Sequence, residues 1–170
     1  MRDEAAVTIR AETDQDINAI DRVLRAAFPT ADEAELVTRL RAAGDLRASL
    51  VAELDGSVVG CVVLSPVTID GAPSEGVGLA PVAVLPAHQG RGIGATLVAA
   101  GLAACRSAPF CVVLGEPSYY HRFGFRPAER HGLTSLYDAG EAFMVLSLPG
   151  GGLPDDGGLV RYARAFDALG

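Results

Sequence analysis

Gln89, Gly92 and Gly94 are spaced Q-x-x-G-x-G, with Gly90 and Arg91 between them, and they lie between an apolar run, Leu79 to Leu85, and a segment of helical period. Free backbone N–H groups at a helix N-terminus, reinforced by a dipole of about half a positive charge, hold anions. The chemistry this spacing supports is capture of a phosphate or diphosphate by main chain. Two common phosphate loops are excluded. One needs Gly-x4-Gly-Lys-Ser/Thr and the chain has no lysine; the other needs G-x-G-x-x-G, whereas Gly90, Gly92 and Gly94 run G-x-G-x-G. A glycine-rich turn selected only for tight geometry is the alternative reading of these residues alone.

The elements around the loop can be read from period and punctuation. Pro86 stops the Leu79–Leu85 strand, because proline cannot carry a ladder onward. Ile93, Leu97, Val98, Leu102 and Cys105 form one stripe and predict a helix over Gly92–Arg106. Phe110 to Leu114 is a continuous apolar strand of the kind buried in a parallel pair, so strand, helix and strand predict a right-handed crossover. Upstream, Val7–Arg10 alternates like a strand. Asp14–Asp16 offers N-cap chemistry for a helix with Ile17, Ile20, Val23, Leu24 and Phe28 on one stripe, and Ala31–Ala43 predicts a second helix closed by Gly44. Asp55-Gly56 between Leu50–Leu54 and Val58–Leu64 predicts a hairpin. Pro66–Gly76 reads as a connection with at most a little strand around Val67–Ile69. Downstream, Pro117–Phe123 predicts a short helix stopped by Gly124, and Phe143–Leu148 a last strand. Residues 1–149 read as one domain; 150–170 read as a Gly-rich linker, Gly150–Gly158, and a small amphipathic appendage, Leu159–Leu169.

Composition bounds the function. At 170 residues and 49% apolar, the chain is one domain with a substantial core and not a disordered segment. A net charge of −7 disfavours nucleic acid as a partner. Cys61, Cys105 and Cys111 are unpatterned and sit in apolar runs, so they read as core residues, and no metal site is expected. The beginning, MRDEAAVTIRAETD, carries acids where a signal peptide needs an apolar block, and no apolar run approaches the roughly 20 residues of a membrane span. The expectation is a soluble, cytoplasmic protein without a membrane partner.

A second block, LGEPSYYHRFGF from Leu114 to Phe125, gives the loop a context. With Q-x-x-G-x-G upstream, its Tyr120-His121-Arg122-Phe123-Gly124-Phe125 resembles the Y-x-x-x-G-F of the GCN5-related N-acetyltransferases (GNAT), and the wording of both blocks is most similar to the YhbS-like branch. The resemblance spans Val7 to Leu148. It implies an α/β (α+β) GNAT fold: a central mixed, mostly antiparallel sheet with a splayed parallel strand pair, flanked by helices. It also implies transfer of an acetyl group from acetyl-coenzyme A to a primary amine of a small molecule or peptide. A coenzyme A sensor or interaction module on the same fold is the alternative. A longer acyl donor and a homodimer are left open.

The resemblance carries roles to particular residues. Backbone N–H groups of Gln89, Gly90, Arg91, Gly92, Ile93, Gly94 and Ala95 would hold the diphosphate, and the strand at Val82, Ala83 and Val84 would meet the pantetheine arm. Pro81 reads either as the proline of a disrupted strand or as a sheet-edge proline. Tyr120 takes the general-acid position, against the simpler reading of core packing beside Phe123 and Phe125; Tyr119 reads as structural. The family's usual glutamate base falls on Gly78, which cannot act as one. Glu116, at the end of the last parallel strand, is the expected substitute, with Glu75 and water as weaker ones; His88 reads as an exposed turn residue, and His121 and His131 as acceptor-site or surface residues. The acids Asp32, Glu33 and Glu35 suggest a cationic acceptor, or merely complement a helix dipole.

Overall fold

The computed structural model describes residues 6–168 other than Asp138 and Asp155; Leu169, the end of the expected appendage, lies outside the described residues. Strand β1 (Thr8–Ala11) runs through a 3-10 turn, Asp14–Asp16, into helix α1 (Ile17–Ala27). Asp16 fixes that junction. Its Oδ2 accepts from the Thr13 N–H at 2.7 Å and from Arg10 Nη1 at 2.7 Å, and its Oδ1 accepts from Arg10 Nη2 at 3.0 Å. The guanidinium therefore holds the Asp16 carboxyl well below the usual carboxylate range. Helix α2 (Asp32–Ala43) follows, with three acids in its first turn.

Strands β2 (Ala48–Leu54) and β3 (Ser57–Ile69) meet at Asp55-Gly56, where both φ angles are positive, 52° and 79°. That is what a two-residue primed turn requires. A second Asp-Gly, Asp70-Gly71 with φ 51° and 84°, joins β3 to β4 (Ala72–Val84). Pro66–Gly76 is thus not a connection but the outer part of a hairpin with 13 residues in each strand. Pro66 is tolerated there because the β2 ladder ends at Leu64, leaving the strand one free edge.

Helix α3 (Ile93–Ala104), β5 (Phe110–Leu114), α4 (Pro117–His121), β6 (Arg126–Pro127), β7 (Leu133–Ser135), β8 (Phe143–Ser147) and β9 (Gly158–Arg161) complete the chain. The sheet order is β1-β2-β3-β4-β5-β8-β6, with β9 beside β3 and β7. Alternation along β3 divides the core. Val62 and Leu64 face α3, while Cys61 and Val63 face α1 and α2.

One feature of this sheet positions the site. Strand β4 pairs in parallel with β5 only at Val77↔Cys111 and Gly78↔Val112. The parallel pairing expected for Leu79–Leu85 is therefore moved upstream. From Leu79 on, the register of β4 against β3 shifts across Ala80 and Pro81, and the two parallel strands diverge. A bulge bends its strand, and Pro81 has no donor to lose at that point. Leu79–Val84 keeps β3 on one edge and has no strand on the other among the described residues.

The carboxyl-terminal segment docks, and it does so through a strand. β9 pairs antiparallel with β3 at Thr68↔Arg161 and Ile69↔Val160, and a following 3-10 turn, Arg164–Ala168, sets Phe166 among Ile20, Leu24, Leu36 and Leu40.

Candidate active site

Two cavities lie along the free edge of β4. The first, of ≈ 330 Å3, is formed where β4 turns into α3, and Gln89, Gly90, Gly92, Ile93, Gly94 and Ala95 line it together with Val84. Gly92 is the N-cap of α3 at φ 81°, a conformation other residues rarely adopt, and no atom lies within 4 Å of where its Cβ would be. The loop is braced from inside: Gln89 Nε2 donates to the Val84 carbonyl at 2.9 Å. Main-chain donors at this helix start therefore face an open volume of the right character for an anion.

A side-chain cation also stands on this wall. Arg91 is exposed and off the wall, whereas Arg122, from the end of α4, is on it. The Arg122 guanidinium sits 4.2 Å over the Tyr119 ring, and its Nε donates to the Tyr119 carbonyl at 3.1 Å. The i, i+3 spacing of Tyr119 and Arg122 is the signal that reading the block for its aromatics passed over. His88 is half-buried on the same wall, with an Nδ1 that has no partner among the described residues.

The second cavity, of ≈ 460 Å3, occupies the gap left where β4 and β5 diverge. Leu79, Ala80, Pro81 and Val82 form one side, and Leu114 and Tyr120 the other. Phe28 just after α1, Glu33 and Leu36 of α2, Tyr137, and the segment after β9 close the remaining walls. Val82 thus lines the second cavity and Val84 the first. Ala83 turns its methyl to the opposite core, beside Val51 and Cys61.

Tyr120 is 8% exposed, and burial pushes its phenol up to about 12. Its ring is held edge-on against Phe125, centroids 5.8 Å apart, and a side chain at Gly115 would collide with it. The phenol is thus both a packed core ring and a group on the cavity wall. It stays protonated far above neutral pH, as a proton donor must.

The candidate bases separate. Glu116 is exposed at the N-cap of α4, where it accepts from the Ser118 hydroxyl at 3.3 Å, and it lies on neither cavity wall. Pro117 at the first helical position explains this: it makes Glu116 a helix-start residue turned to solvent. Glu75 is exposed near the outer end of β4, on a different cavity. His121 and His131 are exposed and line neither volume. The space that a side chain at Gly78 would fill is taken by the Tyr162 ring, whose Cδ1 lies 2.7 Å from a Cβ placed there. Sequence reasoning passed over Tyr162. It did include Glu33 among three acids, and the structure sets Glu33, not Asp32 or Glu35, on the cavity wall.

Burial pushes the Cys61 thiol up to about 12 and raises Cys111 further, so neither is poised as a nucleophile. Among the described residues no group of three His, Cys, Asp or Glu is placed to hold a metal, and no helix is long and apolar enough to cross a membrane.

A family model described as an acetyltransferase (GNAT) domain matches residues 8–128. The protein named uncharacterized N-acetyltransferase YhbS of Escherichia coli K12 is 39% identical over 163 residues, 94% of this chain and 98% of that one. The crystal structure of the E. coli GNAT-family YhbS in complex with CoA superposes with a TM-score of 0.89 at 36% identity, covering 100% of this chain and 97% of the other. A GNAT-family acetyltransferase from Brucella melitensis in complex with acetyl-CoA gives 0.81 at 42% identity, over 96% and 100%.

Proposed function

The chain belongs to the GNAT acetyltransferase family, and on that premise we propose that it moves an acetyl group from acetyl-coenzyme A to a primary amine of a small molecule or peptide. The observation that carries this reading is the free edge of β4 from Leu79 to Val84, which runs from the Tyr120 cavity to the glycine loop. An extended ligand arm with amides along it pairs with such an edge as an added strand would. The CoA and acetyl-CoA found in the two related crystal structures have such an arm, ending in a diphosphate.

In this reading the N–H groups from Gln89 to Ala95 hold the diphosphate, with Arg122 supplying the side-chain charge. Main chain at Val82, Ala83 and Val84 orients the arm so that the thioester lies in the second cavity. The amine nitrogen attacks the thioester carbonyl carbon, a C–N bond forms and the C–S bond breaks. Tyr120 gives its proton to the departing sulfur. Burial keeps the phenol protonated at neutral pH, so the donor carries its proton when the sulfur departs. A cytoplasmic setting belongs to the same reading, since Cys61, Cys105 and Cys111 are all unpaired thiols.

Purified protein, acetyl-coenzyme A and a panel of primary amines test it. An acetyltransferase releases thiol in proportion to the amine consumed. A module that only binds the cofactor is stabilised by it and releases none.

A further inference from the structure

Two residues on the wall of the second cavity each carry a buried polar atom without a partner among the described residues, and they come from distant parts of the chain. Glu33, in the first turn of α2, has a buried Oε2 without a hydrogen-bond partner among the described residues. Tyr162, just after β9, has a buried hydroxyl in the same condition. Both residues line the gap that also holds Tyr120, Pro81 and Val82. Buried polar groups are nearly always paired, because an unpaired one has given up its hydration for nothing, and a charged group loses most. Both residues stand on the wall of one cavity, and a ligand that enters between them satisfies both.

The placement of each is built in. Glu33 shares its helix face with Leu36 and Val37, which are buried, so α2 cannot turn the carboxylate away without exposing its core stripe. The Tyr162 ring fills the room left by Gly78 and stacks on Phe166, centroids 4.8 Å apart. Glycine at 78 is therefore not only the loss of a base position. It admits an aromatic ring that approaches from the other side of the gap.

The rest of the wall selects the ligand. Phe28, Leu36, Leu114 and Phe166 are apolar, and Glu33 is the charged group among the described lining residues. One carboxylate in an apolar cavity matches one ammonium on an apolar stem. A second ammonium would be desolvated with no counter-charge.

Building on the acetyltransferase reading, we infer that Glu33 and Tyr162 form the acceptor site, which takes a primary monoamine with an apolar stem, and that Glu33 is the base. The ammonium R–NH3+ sits between the Glu33 carboxylate and the Tyr162 oxygen. Glu33 takes one proton, leaving the lone pair on R–NH2 to attack the acetyl carbon. The C–S bond breaks and Tyr120 protonates the sulfur. The second amine proton returns to the Tyr120 oxygen, and Glu33 releases its own to solvent. R–NH3+ and the thioester become the amide, the thiol and one H+.

Thiol release from acetyl-coenzyme A tests this with phenethylamine, spermidine and an N-terminally acetylated lysine peptide as probes, in the wild type and in Glu33→Gln, Glu33→Asp and Tyr162→Phe. Phenethylamine should be the best of the three. Glu33→Gln should lose roughly 10²–10⁴-fold in kcat/KM, the range of a positioned acid–base group, while its stabilisation by coenzyme A matches wild type and so certifies the fold. Glu33→Asp should recover part of the loss. Tyr162→Phe should raise the amine KM about tenfold with a smaller change in kcat. Wild-type turnover with phenethylamine in Glu33→Gln, or a preference for spermidine, overturns the inference and leaves the acetyltransferase reading standing. Absence of thiol release from the wild type with every amine overturns both.

Discussion

Tyr119 and Tyr120 are neighbours in sequence with rings edge-to-face, centroids 5.0 Å apart and planes at 80°, yet they line different cavities. Tyr120 faces the gap between β4 and β5, and Tyr119 the loop cavity beside Gly94. Successive residues of α4 point about 100° apart, so one short helix serves both ends of the ligand.

Tyr120→Phe should therefore slow turnover without weakening cofactor binding. Packing barely changes, while the proton donor at the breaking C–S bond is lost, so kcat should fall roughly 10²–10⁴-fold. Tyr119→Phe should leave kcat within a few-fold. Steady-state kinetics with isothermal titration of coenzyme A separates the two; equal effects on kcat would remove Tyr120 from the mechanism.

The alkaline limb of the rate profile follows from the same residue. A general acid works while protonated, and burial raises this phenol to about 12. Any loss of kcat assigned to Tyr120 should thus lie well above the ordinary tyrosine value of about 10. A Tyr120-dependent loss centred below that value would mean the phenol is not desolvated.

Gly92→Val should abolish stabilisation by acetyl-coenzyme A. The wild type should gain about 2.7 kcal/mol at a hundred times its Kd. Valine at φ 81° is strained, and its side chain projects into the volume the diphosphate would occupy. Thermal denaturation with and without ligand reads the difference, and a normal shift in the variant would break the loop assignment.

Asp16→Asn reports on the β1–α1 junction and carries a definite pH dependence. The folded Asp16 carboxyl titrates below its unfolded value of about 3.9, so its stabilising effect is present above that pH and fades as pH falls further. The Tm of Asp16→Asn should lie below wild type at neutral pH, and the gap should close in strong acid. A gap that widens on acidification would contradict the Arg10–Asp16 pairing.

Much of the site could be read from local sequence because its parts are local. The loop needs Gly92 beside a helix start, and Tyr120 follows Pro117 at a fixed helical offset. What escaped depends on contacts far apart in the chain. Asp70-Gly71 carries the same hairpin signal as Asp55-Gly56, but Pro66 and Pro73 interrupt the flanking alternation. Among the described residues, Pro66 fits where β3 has no second partner between Leu64 and Thr68, and Pro73 where β4 has none before Val77. β9 is four residues whose partners lie some 90 positions earlier in β3 and 25 earlier in β7, beyond the reach of any periodicity. Glu33 differs from Asp32 and Glu35 only in which way α2 is rotated, and that is set by the core beneath it.

Direct transfer is the central claim, and a single-turnover experiment reaches it most directly. With protein in excess over acetyl-coenzyme A, phenethylamine should start the release of thiol, and acetylated amine should form at the same rate with no acetylated protein. The buried, proton-retaining Cys61 and Cys111 agree with that course. A burst of thiol before amine is added, accompanied by acetyl-protein, would contradict it.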